Sequence, residues 1–241
     1  MSDPEVIVVA DREALADTGA ALIERILIEA AKSAELASVA LAGGTTPEVT
    51  YRHLASRPVP WRCLQVFFGD ERCVPPEDEA SNYHLAERAI LDRIPLRPRQ
   101  VHRIRGEIEP ARAAVEAEAA MHDHLTGRLP ALDLVLLGIG ADGHVASLFP
   151  DSPELAIEDR LYVPVHRPDL PHPHRVSVTL PVINAAKHVL VMAADEEKAP
   201  AVAKALAGDS SIPAGRLAPT DGDLTWVLTA AAASGALKPG T

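Results

Sequence analysis

At 241 residues, 47% hydrophobic but only 3% aromatic, the chain can bury a core, which must be built mainly from Ala, Val, Leu and Ile. A formal charge of −11 without any block of Lys and Arg argues against sequence-independent nucleic-acid binding, yet permits an anionic metabolite held by a few converging cations. Cys63 and Cys73 have no metal-ligand or disulfide spacing, no apolar run approaches a membrane span, and no signal peptide precedes the first strand, so a reduced, cytoplasmic protein without membrane contact is expected.

Glu5–Ala10 (EVIVVA) reads as a strand, followed by a helix from Asp11 to Lys32 with an apolar stripe of Leu15, Leu22, Ile23, Ile26 and Leu27. Residues 37–44 (ASVALAGG) form a second strand candidate ending in a glycine pair, and 63–72 (CLQVFFGDER) a third that breaks into charge. Residues 81–94 look helical with Ser81 as N-cap, and 109–125 (EPARAAVEAEAAMHDHL) form an alanine-rich helix. The strongly apolar strand 132–138 (LDLVLLG) follows, then strand candidates at 161–165, 175–180, 188–194 and 224–229, with a helix over Glu196–Leu206. Apolar strands alternating with helices predict an α/β fold: one doubly wound, mostly parallel sheet with helices on both faces. Neither a low-complexity linker nor an internal repeat divides the chain, so residues 1–241 are expected to form one domain. Such a sheet places its site at the carboxyl ends of the strands, and three polar segments fall there.

The first is AGGTTP, residues 42–47. Gly43 and Gly44 allow close backbone approach, Thr45 and Thr46 add hydroxyls, and a helix starting near Pro47 offers free N–H groups, a set suited to one phosphate monoester. A plain turn with a Thr N-cap and Pro at the first helical position fits the same letters. The second is Asp70-Glu71-Arg72, where Arg72 could hold a phosphate or carboxylate in its fork, or pair structurally with its acidic neighbours. The third, Gly138–Gly143, spells G-x-G-x-x-G. Its position past the midpoint, and an anion at Asp142 where a diphosphate would approach, argue against a dinucleotide. Glu158 and Asp159 lie near the spacing of a ribose-binding acid, but acids are common in this chain. The glycines instead make a tight turn that projects Asp142 and His144, an imidazole suited to proton transfer with a carboxylate to orient it. The bland alternative is a His that caps the next short helix or fills a polar niche. Arg175 and Lys198, each taken alone, are more often surface charges than ligands. His122 and His124 point apart at i, i+2 on a helix, and His172 and His174 lack a carboxylate set, so no metal is expected.

Taken together, these segments resemble the 6-phosphogluconolactonase family over nearly the whole chain. LAGGTTP (41–47) stands at the family's phosphate loop, GDERCVP (69–75) at its D-E-R segment, SNY (81–83) at the expected spacing, and LLGIGADGHVASLFP (136–150) at its most specific signature. RVSVTLP (175–181) and Lys198-Ala199 also match, although ADEEKA departs from the usual small-residue lead-in to the lysine. Related glucosamine-6-phosphate deaminases carry D-E-Y, and after D-G-H they have A-F-N-E-P with a working glutamate. Here Ala146–Pro150 contains no carboxylate.

The resemblance implies a Rossmann-like fold of the sugar-phosphate isomerase type. It implies hydrolysis of 6-phospho-D-glucono-1,5-lactone to 6-phospho-D-gluconate in the oxidative pentose phosphate pathway, without cofactor or metal. His144 would be the general base and Asp142 its orienting partner. Gly43, Gly44, Thr45, Thr46, Arg72 and Lys198 would hold the phosphate, with Arg175 as a further sugar or phosphate contact. Neither nucleic acid nor an obligate protein partner is implied. The alternatives are a deaminase-like isomerase and a non-catalytic sugar-phosphate sensor. A sensor would be expected to bring a DNA-binding module and a degenerate site, whereas a strand begins near residue 5 and His144 and both threonines are present. The proline-rich loop 167–175 is a candidate flap over the site.

Overall fold

Uninterrupted runs of Val, Leu, Ile and Ala have no polar face to offer water, so as strands they must be covered on both sides. The computed structural model describes residues 3–33 and 36–236. In chain order its main elements are β1 (Glu5–Val9), α1 (Arg12–Ser33), β2 (Ala37–Leu41), α2 (Thr45–Leu54), β3 (Leu64–Phe68), β4 (Asp70–Arg72), α3 (Asn82–Ala89), α4 (Pro110–His124), β5 (Leu134–Gly138), β6 (Tyr162–His166), β7 (His174–Val178), α5 (Leu180–Ala185), β8 (His188–Ala193), α6 (Ala199–Leu206), β9 (Asp223–Thr229) and α7 (Ala230–Ala233). Six strands make one parallel sheet in the order β1-β9-β8-β5-β2-β3. Every residue of β2 and β3 is buried, as are Leu134–Leu137 and Val189–Ala193, so both faces are covered at the centre. At the edge, β1 leaves Val6 and Val8 exposed.

Winding reverses between β2 and β5, because β3 lies on one side of β2 while β5, β8 and β9 follow on the other. That switch point opens a crevice at the strand carboxyl ends. Two buried tyrosines brace its floor. The Tyr51 hydroxyl donates to the Ala42 carbonyl at 2.7 Å and accepts from the Ala42 N–H at 2.9 Å, fixing the exit of β2. The Tyr162 hydroxyl donates to the Phe68 carbonyl at 2.9 Å and does the same for β3.

The strand expected over 63–72 breaks at Gly69. Its N–H donates to Leu41 and its carbonyl accepts from Val178, both at 2.8 Å, so one residue serves two sheets. Beyond it, β4 pairs antiparallel with β7, and β7 with β6, forming a second, three-stranded sheet beside the parallel one. The strand candidates at 161–165 and 175–180 go to this second sheet.

Several helix boundaries differ from expectation for local reasons. The 81–94 helix stops at Ala89 and continues as a 3-10 turn over Leu91–Arg93. The helix expected from Glu196 begins as a 3-10 turn over Glu196–Lys198 and becomes α-helical only at Ala199, with Pro200 in its first turn. Residues Leu180–Ala185 form α5, entered through Thr179 and Pro181. Proline fits there because the first-turn N–H groups have no partner within the helix. Among the described residues, no helix is long and apolar enough to cross a membrane.

Candidate active site

A cavity of about 350 Å³ occupies the crevice, lined from the three polar strand ends and from the α6 entrance. Gly43, Gly44, Thr45, Thr46, Arg72, His144, Arg175 and Lys198 all border it, together with Asp70, Asn82, Ala146, Met192 and Glu197. Asp142 stands behind His144 and does not line the cavity. Glu158 and Asp159 lie around a separate surface depression with Arg128 and Arg160.

The β2 exit shows why glycine is needed. Gly44 has φ +100° and caps α2 with no side-chain contact, while a Cβ on Gly43 would sit 1.8 Å from Asn82 Oδ1. The helix starts at Thr45, two residues before Pro47, so the threonines are first-turn residues and not caps. Their hydroxyls are therefore not used to close the helix. Thr46 is buried, and its Oγ1 has no hydrogen-bond partner among the described residues. First-turn N–H groups and an unpaired hydroxyl at the positive end of a ten-residue helix suit an anion.

Charges along β4 are divided. Glu71 is buried and turns away from the cavity to serve α3. It accepts from the N–H groups of Arg72 (2.8 Å), Asn82 (2.7 Å) and Tyr83 (2.8 Å) and from Ser81 Oγ (2.9 Å). Burial pushes its carboxyl above the usual range despite these four donors. Ser81 in turn accepts from the His84 N–H at 3.1 Å, as an N-cap should. Asp70 is also buried, holding Asn82 Nδ2 at 2.9 Å and Ser147 Oγ at 2.6 Å.

Arg72 forms no ion pair among the described residues. Its Nη1 donates to the Ala80 carbonyl, and its buried Nε lacks a partner. Directly opposite in the β4–β7 register stands Arg175, 9% exposed, donating Nε to the His172 carbonyl at 3.2 Å. Burial first, and Arg72 second, hold the Arg175 guanidinium below its usual range. Removing an ion from water costs several kcal/mol, so a buried Arg175 and a half-buried Arg72, neither paired with a carboxylate, suit an anion. Lys198 enters from the opposite rim, 3.9 Å from Asp195, whose carboxylate also pairs with Arg12.

The 138–150 loop turns as the glycine spacing suggested. Gly140 N–H donates to the His144 carbonyl and Gly143 N–H to the Gly140 carbonyl, each at 2.9 Å. Gly143 has φ +86°, and a Cβ on Gly140 would fall 2.1 Å from His144 Nδ1. The stripped backbone thus lets the imidazole fold against its own turn. Asp142 Oδ1 lies 2.6 Å from His144 Nδ1 and accepts the His144 N–H at 3.1 Å. A carboxylate on Nδ1 selects the tautomer that leaves Nε2 as an acceptor. Burial raises the Asp142 carboxyl, but the hydrogen bond and charge of His144 outweigh it and hold the group below its ordinary value.

Sequence reasoning passed over three residues that the fold brings here: Asp70, Asn82 and Ser147. Asp70 and Asn82 lay inside quoted motifs, but only the break at Gly69 shows that Asp70 faces Asn82 and Ser147. Ser147, in the same loop as His144, is fully buried, and it also receives Arg175 Nη1 at 3.5 Å. His122 and His124 lie on α4, where His124 packs against His102. Among the described residues, no group of three or more His, Cys, Asp or Glu converges as a metal site would require.

A family model described as glucosamine-6-phosphate isomerases/6-phosphogluconolactonase matches residues 10–226. A 6-phosphogluconolactonase of Streptomyces coelicolor is 38% identical over 97% of this chain and 95% of its own length. Its counterpart from Nostoc is 37% identical over 94% of this chain and 96% of its own. Among solved structures, 6-phosphogluconolactonase from Trypanosoma cruzi superposes with a TM-score of 0.86 at 28% identity, covering 97% of both chains.

Proposed function

We propose, since the chain belongs to the glucosamine-6-phosphate isomerase and 6-phosphogluconolactonase family and is one of its lactonases, that this cavity hydrolyses 6-phospho-D-glucono-1,5-lactone with His144 as general base. The observation that carries the reading is the 2.6 Å contact between Asp142 and His144 Nδ1, at the rim of a cavity furnished with unpaired guanidinium groups. The product is 6-phospho-D-gluconate. The reading treats residues 1–241 as one catalytic domain working in the cytoplasm on a small molecule.

The phosphate docks on the Gly43–Thr46 turn, where first-turn N–H groups, the Thr46 hydroxyl, Arg72 and Lys198 supply donors and positive charge. That anchor places the lactone carbonyl toward His144. Nε2 takes a proton from water as the oxygen attacks C1, and the tetrahedral oxyanion gathers negative charge. Arg175, next to Ser147 of the histidine loop, contacts the sugar and steadies that charge. As the C1–ring-oxygen bond breaks, the imidazolium returns its proton to the departing oxygen. Asp142 balances the imidazolium in between. Such acid–base assistance contributes roughly 10²–10⁴-fold. In this reading the step needs no metal, since His144 and not a metal ion activates the water. No carboxylate in residues 146–150 is placed for a deaminase's proton transfer.

The test is lactone hydrolysis, with substrate generated in situ, for wild type and His144→Ala, each checked for folding by circular dichroism. A fast wild type, insensitive to chelator, and a folded variant slower by about a hundredfold or more support the reading. Equal rates remove His144 as the base. A wild type that releases ammonia from glucosamine 6-phosphate but leaves the lactone alone overturns the reaction itself.

A further inference from the structure

His144 is held on more than one side. Asp142 and the close Gly140 backbone hold its Nδ1 edge. The Phe149 ring lies 4.6 Å away, tilted by 40°. Phe149 is 2% exposed and packs in a small apolar cluster with Val163 and Val165 of β6, flanked by Ile157 and Leu170. The same ring carries the Arg167 guanidinium, with its central carbon 4.3 Å from the centroid. Asp169 grips that guanidinium with two parallel contacts, Nε to Oδ1 at 3.0 Å and Nη2 to Oδ2 at 2.8 Å. The hairpin loop is itself latched, since Arg167 N–H donates to the Pro173 carbonyl at 2.8 Å. Arg167 does not line the cavity.

We propose that Arg167 is a positioning residue for hydrolysis: stacked on Phe149, it holds the ring against which the His144 imidazole lies and so fixes the plane of that imidazole. The proposal rests on the reading of His144 as the base. Planar stacking of a guanidinium on an aromatic face is favourable and directional, more so where water is partly excluded. A base displaced by about 1 Å can lose roughly a hundredfold in rate, so a ring held by one hydrogen bond alone would be a poor base. Asp142 on its own turn contacts the imidazole, while Arg167 and Arg175 both lie over the Phe149 ring, 4.3 Å and 5.8 Å from its centroid. Glu154 lies on the 3-10 turn, and Asp70, Arg72, Glu197 and Lys198 lie around the cavity.

The experiment compares wild type, Arg167→Met and Arg167→Lys, with kcat and KM measured across pH and folding checked by circular dichroism. For Arg167→Met, kcat should fall roughly 5- to 30-fold while KM stays within about twofold. Arg167→Lys, which keeps a cation over the Phe149 ring, should recover most of that kcat. A kcat loss that lysine does not rescue, or that comes with an equal change in KM, makes Arg167 a merely structural residue and overturns the proposal. Unchanged kinetics also overturn it, while leaving the base reading intact. If His144→Ala is as fast as wild type, the base reading fails and takes this proposal with it, a result visible before any Arg167 variant is made.

Discussion

Arg72 and Arg175 face one another across the β4–β7 pair, and neither forms an ion pair among the described residues. Asp70 lies close enough for its charge to favour the Arg175 cation, but its oxygens are taken by Asn82 and Ser147. A charge-assisted hydrogen bond contributes about 1.5–3 kcal/mol, equivalent to roughly 10- to 100-fold in affinity. Arg72→Met should therefore raise KM for the phosphorylated lactone by that factor with little change in kcat. With the unphosphorylated lactone it should change neither. Arg175→Met should lower kcat as well, if it steadies the oxyanion. Steady-state kinetics on the two lactones separate these outcomes, and a KM rise shared by both lactones would remove Arg72 from the phosphate.

Glycine positions give a sharper steric test. A methyl on Gly43 would drive into Asn82, whose amide is held by Asp70, so neither partner can yield without breaking a buried contact. Overpacking of this kind costs about 1–3 kcal/mol. Gly43→Ala should lower thermal stability by that amount and raise KM. Gly140→Ala strikes His144 Nδ1 instead, so it should lower kcat toward the level of His144→Ala. Melting curves and kinetics together distinguish the two, and a Gly140→Ala enzyme with wild-type kcat would refute the folded-back imidazole.

Asp142→Asn keeps the shape of the turn and removes its charge. Asp142 stays ionised below its ordinary value, so in the wild type its own protonation lies on the acid side of any working pH. Without the carboxylate, imidazolium loses its counter-charge and the tautomer preference weakens. We expect kcat to fall by roughly 10²–10³-fold. An Asp142→Asn enzyme with wild-type kcat would remove Asp142 as the working partner of His144.

These tests fall on residues that the sequence made legible to different degrees. The parallel sheet was readable because β2, β3, β5 and β8 are apolar enough to demand cover on both faces, and because three polar turns follow strands. The Gly138–Gly143 turn was readable from glycine spacing and a conflicting charge at Asp142. What periodicity could not show is that a strand over 63–72 changes sheets at Gly69, since Leu64–Phe68 and Asp70–Arg72 are continuous in sequence and differ only in partner. Asp70, Asn82 and Ser147 depend on that change of partner. Arg167 was hidden for a similar reason: its target, Phe149, is local to another loop, and the hairpin between β6 and β7 brings them together.

Away from the cavity, His102 gives the fold a pH dependence of its own. It stacks on Phe67 at 4.7 Å, lies 4.1 Å from the His124 ring, and contacts Gln65 Oε1 through Nε2 at 2.7 Å. Burial first, and the neighbouring His124 second, push His102 down to about 4, with Asp123 opposing. The unfolded chain takes up this proton near the ordinary histidine value of about 6.5. Between those values the unfolded state binds more protons, so stability is fully present above about 6.5 and declines as pH falls toward 4. Thermal melts of wild type should show Tm dropping through that window. His102→Gln, which cannot titrate, should flatten this part of the curve while lowering Tm at pH 7 through the lost stacking. If the variant keeps the full wild-type slope between pH 6.5 and 4, the dependence belongs to another group.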